Sequence, residues 1–103
     1  MEFLVEIEVR LPPEMEAHER QQLIESERIR GGELAEAGVI LAIWRVPGRF
    51  ANRAIWSTDD ATELHEAIAS LPSWPYVDVH VTPLARHHLA DHCQGLPPGL
   101  TVE

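Results

Sequence analysis

The chain has 103 residues, of which 45% are hydrophobic, and a formal net charge of −9 at pH 7. This length suits one domain with a small core, and the negative charge argues against nucleic acid as a main partner. All 8 basic residues are arginines, which excludes lysine Schiff-base chemistry, and the single cysteine cannot form an internal disulfide. No apolar run approaches the roughly 18 residues of a membrane span and no signal peptide is apparent, so we expect a cytoplasmic protein that does not enter membranes.

The first half of the chain predicts a strand, a long helix and a second strand. Residues 3–9 alternate between apolar and more polar side chains, as in a strand with one buried face. A helix follows over about residues 16–37, and Gly38 is placed to end it. Residues 39–46 are apolar on both faces apart from Arg45, which predicts a strand that is covered on both sides.

The second half repeats this order with a hairpin strand at residues 50–56, a helix capped by Asp60 and a strand at residues 76–82. The order β-α-β-β-α-β is that of the ferredoxin-like fold in the α+β class, with a four-stranded antiparallel sheet and two helices on one face. The other sheet face is mixed in polarity and uncovered, so we expect it to pack against a second subunit. We assign residues 1–84 to this domain and residues 85–103 to a C-terminal tail that docks on a neighbouring subunit.

Glu27 lies near the centre of the apolar face of the predicted long helix. At about 100° per residue it shares this face with Leu23 and Leu34. A carboxylate among apolar groups is costly unless it is paired, and such acids cluster at functional sites. Gly31 follows one turn later and leaves room beside the carboxylate, although Gly31 and Gly32 both weaken a helix interior. Glu27 is therefore a candidate catalytic base, with pairing to a buried arginine as the alternative.

Two stretches, Trp44-Arg45-x-x-Gly48-x-x-Ala51-Asn52 and Leu71-Pro72-x-x-Pro75-Tyr76, together resemble the muconolactone isomerase family. The resemblance runs without gaps over about residues 1–88. It implies small ferredoxin-like chains whose sheets pair into dimeric α+β barrels and that assemble into larger homo-oligomers, typically decamers. It also implies cofactor-independent isomerisation of muconolactone to 3-oxoadipate enol-lactone, in the β-ketoadipate pathway of aromatic compound catabolism. The resemblance aligns Glu27 with a family glutamate that acts in the proton shift.

The implied chemistry assigns further residues to the site. A proton leaves one carbon of the unsaturated lactone and returns at another carbon of the resulting dienolate, so one carboxylate can move it if water is excluded. Asn52 or an arginine is expected to donate to the enolate oxygen, and Arg45 and Arg49 are candidates to bind the substrate carboxylate. We expect neither a metal nor another cofactor. The predicted substrate site also contains three aromatic residues, Trp44, Phe50 and Tyr76.

Five positions depart from the family pattern and bear on which lactone is bound, including Gly31 and Gly32, which replace good helix formers. Phe50 stands where family members usually have tyrosine, and Ala42 and Arg49 replace positions often held by histidine.

Two other functions remain open: a cofactor-independent monooxygenase on the same barrel fold, and a non-catalytic member that binds a small ligand. His88 and His92 would suit a metal if they lay on a helix, although a solvated tail is more common for such a stretch.

Overall fold

The computed structural model describes residues 1–93, and its elements follow the predicted order. The strands are β1 (Glu2–Val9), β2 (Ile40–Arg45), β3 (Ala51–Ser57) and β4 (Val77–Leu84), and the helices are α1 (Ala17–Glu36) and α2 (Ala61–Ala69). Two short 3-10 turns span Trp74–Tyr76 and Ala90–His92. The prediction of a ferredoxin-like α+β fold is confirmed.

The four strands form one antiparallel sheet in the order β2-β3-β1-β4. The central strand β1 places Val5 opposite Ala54 on β3 and opposite Val81 on β4. Because opposed residues share a face and successive residues alternate, Glu6 and the residues opposite it lie on the other face. The predicted alternation of β1 therefore decides which side of the whole sheet is apolar.

Both helices cover the apolar face of this sheet. The helix α1 contributes one fully buried residue, Leu34, whereas the shorter α2 contributes Leu64 and Ile68. The N-terminal part of α1 therefore stands away from the core and leaves space between this helix and the sheet. The buried cluster is completed by side chains of the strands and of the segment after α2, namely Phe3, Val5, Ile7, Ile40, Ala54, Trp56 and Leu71.

The helix ends follow the predicted local signals. Gly38 adopts a left-handed φ of 78°, and the backbone N–H of Val39 donates to the carbonyl of Leu34 at 2.9 Å, which turns the chain from α1 into β2. Asp60 caps α2 by accepting a hydrogen bond from the backbone N–H of Glu63 at 2.8 Å. The first of these turns joins two of the walls of the site described below.

The fourth strand begins and ends later than predicted. Tyr76, which the pattern assigns to the strand, lies in the 3-10 turn, and its backbone N–H donates to the carbonyl of Ser73 at 2.8 Å. The strand continues through Pro83 to Leu84. Proline is compatible with this position because β4 lies at the edge of the sheet.

The chain leaves the sheet after Leu84 and stays exposed as far as residue 93. The remainder of the predicted tail, residues 94–103, lies outside the described residues. Within the described range, no helix combines the length and the apolar character needed to cross a membrane.

Candidate functional site

A cleft of about 590 Å³ lies between α1 and the sheet, and we call it the α1 cleft. Its walls come from α1, from β1, β2 and β3, and from the segment that precedes β4. Much of the lining is apolar, with Leu23, Ile40 and Leu71 among the contributing residues. A concave, largely apolar space of this size with a few polar groups is typical of small-molecule sites.

Glu27 lines this cleft from the middle of α1, where its side chain is half-buried. Its Oε1 accepts a hydrogen bond from the backbone N–H of Ser73 at 3.3 Å. On the same helix, Nη2 of Arg28 pairs with Oε1 of Glu25 at 2.6 Å. None of the ion pairs among residues 1–93 includes Glu27. The carboxylate at the cleft is thus held by a neutral backbone donor and not by a buried arginine.

Three buried polar atoms belong to residues that line the same cleft: Asn52 Oδ1, Trp56 Nε1 and Ser73 Oγ. None of the three has a hydrogen-bond partner in the part of the chain that the structure describes. Leaving a buried polar group unpaired costs about 1–3 kcal/mol, so such groups in native proteins usually have a partner. The wall of the α1 cleft therefore holds an amide, an indole N–H and a hydroxyl with capacity to bond a ligand.

Two arginines line the α1 cleft, and they differ in their partners. The hydrogen bond between Arg28 and Glu25 lowers the pKa of the Glu25 carboxyl below its ordinary value and raises that of the Arg28 guanidinium. Arg45 takes part in none of the ion pairs found in the described chain. Since a guanidinium binds a carboxylate through two parallel N–H groups, Arg45 is the cation with unused capacity for an acidic ligand.

Five of the seven predicted site residues meet at this cleft, and two lie elsewhere. Arg49 pairs with Glu8 on the opposite, uncovered face of the sheet. Tyr76 is held in the 3-10 turn, where its backbone carbonyl accepts from the N–H of Arg10 at 2.7 Å. The five that line the α1 cleft are Glu27, Trp44, Arg45, Phe50 and Asn52.

Trp56 and Ser73 line the cleft without having been predicted as site residues. The sequence contains a signal for Trp56, because it shares a strand face with Asn52 at a spacing of four residues, although its size predicts a core position. No comparable signal exists for Ser73. Its place in the site depends on how the segment after α2 folds back against α1, which is a tertiary relationship.

The histidine-rich stretch does not form a metal centre in the described residues. Among residues 1–93, no group of three His, Cys, Asp or Glu side chains is placed to hold a metal ion. The rings of His87 and His88 stack with centroids 4.3 Å apart, and His92 lies in a 3-10 turn and not in an α-helix.

Known proteins resemble this chain over most of its length. The family model described as muconolactone delta-isomerase matches residues 1–90. Muconolactone Delta-isomerase 2 of Acinetobacter lwoffii is 36% identical over 92 residues, which covers 89% of this chain and 96% of the relative. The muconolactone Delta-isomerase of Cupriavidus pinatubonensis is 36% identical over 87 residues, covering 84% and 95%. A crystal structure of muconolactone isomerase matches with a TM-score of 0.84 at 31% identity and covers 91% of this chain and 98% of that chain.

Proposed function

Because the chain belongs to the muconolactone delta-isomerase family, we propose that it shifts a proton within an unsaturated lactone of the muconolactone type. The product is a 3-oxoadipate enol-lactone, formed in aromatic compound catabolism. The observation that carries the proposal is the single carboxylate, Glu27, in a largely apolar cleft of about 590 Å³. The family match does not favour the alternative of a cofactor-independent monooxygenase.

Glu27 is the proposed catalytic base. Its carboxylate removes the proton from the ring carbon that carries the ring oxygen and the carboxymethyl group, at the far end of the C=C–C=O system. The carboxylic acid that forms returns the proton to the carbon beside the lactone carbonyl. The reaction is balanced within one substrate molecule, because the same proton leaves and returns. Since the Ser73 N–H is bonded to Oε1 of Glu27, the other oxygen is left to take the proton.

The remaining polar groups of the cleft are proposed to bind the substrate. Negative charge develops on the carbonyl oxygen as the proton leaves, so donors that already face that oxygen lower the barrier. The Trp56 indole N–H and the Ser73 hydroxyl are available for this role because they are unpaired in the described chain. The Asn52 amide N–H is proposed as a further donor, whereas its unpaired Oδ1 can only accept. Arg45 is proposed to bind the free carboxylate of the substrate. Trp44 and Phe50 are the aromatic residues among the predicted site residues that line the cleft.

We further propose that the chain works as a homo-oligomer in which the uncovered sheet faces pair. Leu4 and Ile55 are half-buried on that face, and neither helix among residues 1–93 covers the sheet there. Ile43 lines the α1 cleft yet is 55% exposed. Trp44, which is 42% exposed, is opposite Arg53, a residue of the uncovered face. A neighbouring subunit, including its tail of residues 85–103, would remove these apolar groups from water and help to keep the cleft dry.

An ultraviolet assay with muconolactone tests the proposed reaction directly. We expect conversion by the purified protein without added oxidant. Oxygen uptake with a phenolic substrate measures the monooxygenase alternative, and thermal stabilisation by the lactone without turnover would identify a binding protein. Failure of the folded protein to convert muconolactone or a related lactone would overturn the proposal.

A further inference from the structure

Two adjacent glycines, Gly31 and Gly32, lie in the interior of α1 and line the α1 cleft. After proline, glycine is the least favourable residue in a helix interior because it loses the most backbone entropy. Of the glycines in the described chain, only Gly38 and Gly48 have a positive φ. Alanine would therefore adopt the backbone conformation at positions 31 and 32 without strain.

Close packing does not explain the two glycines either. Apart from the two chain neighbours and the backbone of its own helix, a Cβ built at Gly31 or at Gly32 meets no heavy atom of the described residues within 4 Å. Both residues line the α1 cleft, Gly31 half-buried and Gly32 exposed, so the open space beside them is continuous with that cleft. The missing side chains widen the cleft and do not serve a close contact between elements of this chain.

The widened part of the cleft lies next to Glu27 and Arg28. Gly31 follows Glu27 by four positions and Gly32 follows Arg28 by four, so each pair is adjacent on the helix surface. Helical side chains point back toward the N-terminus of their helix. A side chain at position 31 would therefore cover the turn that carries Glu27, and its absence leaves room for substrate atoms beside the carboxylate.

Two other residues of the cleft lining give an independent indication of a ligand. Ser73 is 2% exposed and Trp56 is 1% exposed, and the Oγ of the first and the Nε1 of the second have no partner in the described chain. Ser73 is also the residue whose backbone N–H contacts Glu27. The unpaired hydroxyl and the gap left by the glycines thus belong to residues around the same carboxylate.

We propose that Gly31 and Gly32 adapt the enzyme to a lactone that carries an apolar substituent, of about methyl or ethyl size, on the ring carbon beside the one that loses its proton. This inference rests on the proposed function and names the substrate class of the same site. Two absent Cβ groups leave space for a substituent of about that size. One methylene group in a hydrophobic pocket changes kcat/KM by about 10-fold to 200-fold, so the gap is large enough to determine substrate preference.

The test compares Gly31→Ala and Gly32→Ala with the wild type on muconolactone and on a muconolactone with a methyl group on the ring carbon beside the one that loses its proton. For each protein we take the kcat/KM for the substituted lactone divided by the kcat/KM for muconolactone. We expect this ratio to be lower by about 10-fold or more in each variant than in the wild type. We expect the thermal unfolding midpoint to rise by about 4–8 °C, because alanine favours the helix. The control is Ser26→Ala, at an exposed position of α1 outside the cleft lining. It should raise the midpoint slightly and leave the ratio unchanged.

The possible outcomes separate this inference from the proposed function. An unchanged ratio in glycine variants that still convert muconolactone would overturn the inference and leave the proposed function standing. Loss of both activities together with a changed mass in light scattering would also overturn it, because the glycines would then serve a contact between subunits. A wild-type protein that converts neither lactone would overturn the proposed function and the inference with it.

Discussion

The backbone N–H of Ser73 donates a hydrogen bond to Oε1 of Glu27 at 3.3 Å and joins residues that are 46 positions apart. Glu27 lies in the middle of α1 and Ser73 lies between α2 and β4. The contact therefore fixes the segment after α2 against α1 at the α1 cleft. Because the donor belongs to the backbone, it holds one carboxylate oxygen whatever side chain stands at position 73, and it leaves the second oxygen for the proton.

Glu27→Gln should abolish most of the lactone isomerase activity and leave the fold intact. The amide oxygen of glutamine can still accept from the Ser73 N–H, but it cannot remove a proton from carbon. Loss of a general base lowers kcat by about 10²–10⁴-fold. Turnover in the ultraviolet assay and the thermal unfolding midpoint are the two measurements.

The matched control for this variant is Glu36→Gln. Glu36 is the last residue of α1, is exposed and does not line the α1 cleft. We expect unchanged turnover in this control. Near wild-type activity of Glu27→Gln would refute the assignment of the base, and an unfolded Glu27→Gln protein would show that Glu27 has a structural role.

Ser73→Ala should change stability and substrate affinity in opposite directions. The Ser73 hydroxyl is buried without a partner in the described chain, so its removal should leave the free energy of unfolding unchanged or raise it by about 1 kcal/mol. If the hydroxyl bonds the substrate, KM should rise about 2-fold to 10-fold, which corresponds to one neutral hydrogen bond. Chemical denaturation and steady-state kinetics give the two quantities.

Ser70→Ala is the matched control for Ser73→Ala. The Ser70 hydroxyl donates to the carbonyl of Ala67 at 2.6 Å and accepts from Nε of Arg30 at 3.0 Å, away from the cleft lining. Its loss should lower the free energy of unfolding by up to about 1 kcal/mol and leave KM unchanged. A Ser73→Ala protein that behaves like this control would mean that the Ser73 hydroxyl has no ligand to bind.

Arg45→Gln and Arg49→Gln should separate the two arginines that the sequence predicts as carboxylate ligands. Arg45 lines the α1 cleft, whereas Arg49 pairs with Glu8 on the other face of the sheet. A charge-assisted hydrogen bond contributes about 1.5–3 kcal/mol, so Arg45→Gln should raise KM by about 10-fold or more. Arg49→Gln should leave KM near the wild-type value. The reverse result would contradict the placement of the substrate carboxylate.

The faces of the sheet and the helix signals were predictable from the sequence because they depend on local chemistry. The alternation of β1 assigns Val5 to the core and Glu6 to the uncovered face, and Gly38 ends α1 as its position suggests. Contacts between residues that are far apart in the sequence were not predictable. The role of Arg49 depends on the pairing of β1 with β3, which brings Glu8 to it, and no local pattern contains that information.

Acid should weaken α1 through the pair of Glu25 and Arg28. The hydrogen bond from Arg28 lowers the pKa of the Glu25 carboxyl, so the folded state binds the proton less tightly than the unfolded state. This contribution to stability is present above the ordinary value of about 4.5 and is lost as pH falls through the lowered value. Both groups are exposed, so the effect should be small and sensitive to salt. Between neutral and acidic pH, the thermal unfolding midpoint should fall less in Glu25→Gln than in the wild type. Equal falls in the two proteins would contradict the expectation.

The uncovered sheet face should be required for assembly. Ile55 lies on this face beside Leu4 of β1 and Ala42 of β2 and is only half-buried. A glutamate at position 55 can face water in a separate chain, but it would be an unpaired buried charge if two sheets were packed together. We therefore expect light scattering to show a stable oligomer for the wild type at micromolar concentration and a smaller species for Ile55→Glu.

The control is Ile29→Glu, which adds the same charge on α1 at a residue that is 55% exposed and outside the cleft lining. A folded wild-type monomer, or an unchanged mass for Ile55→Glu, would show that the sheet face does not hold subunits together.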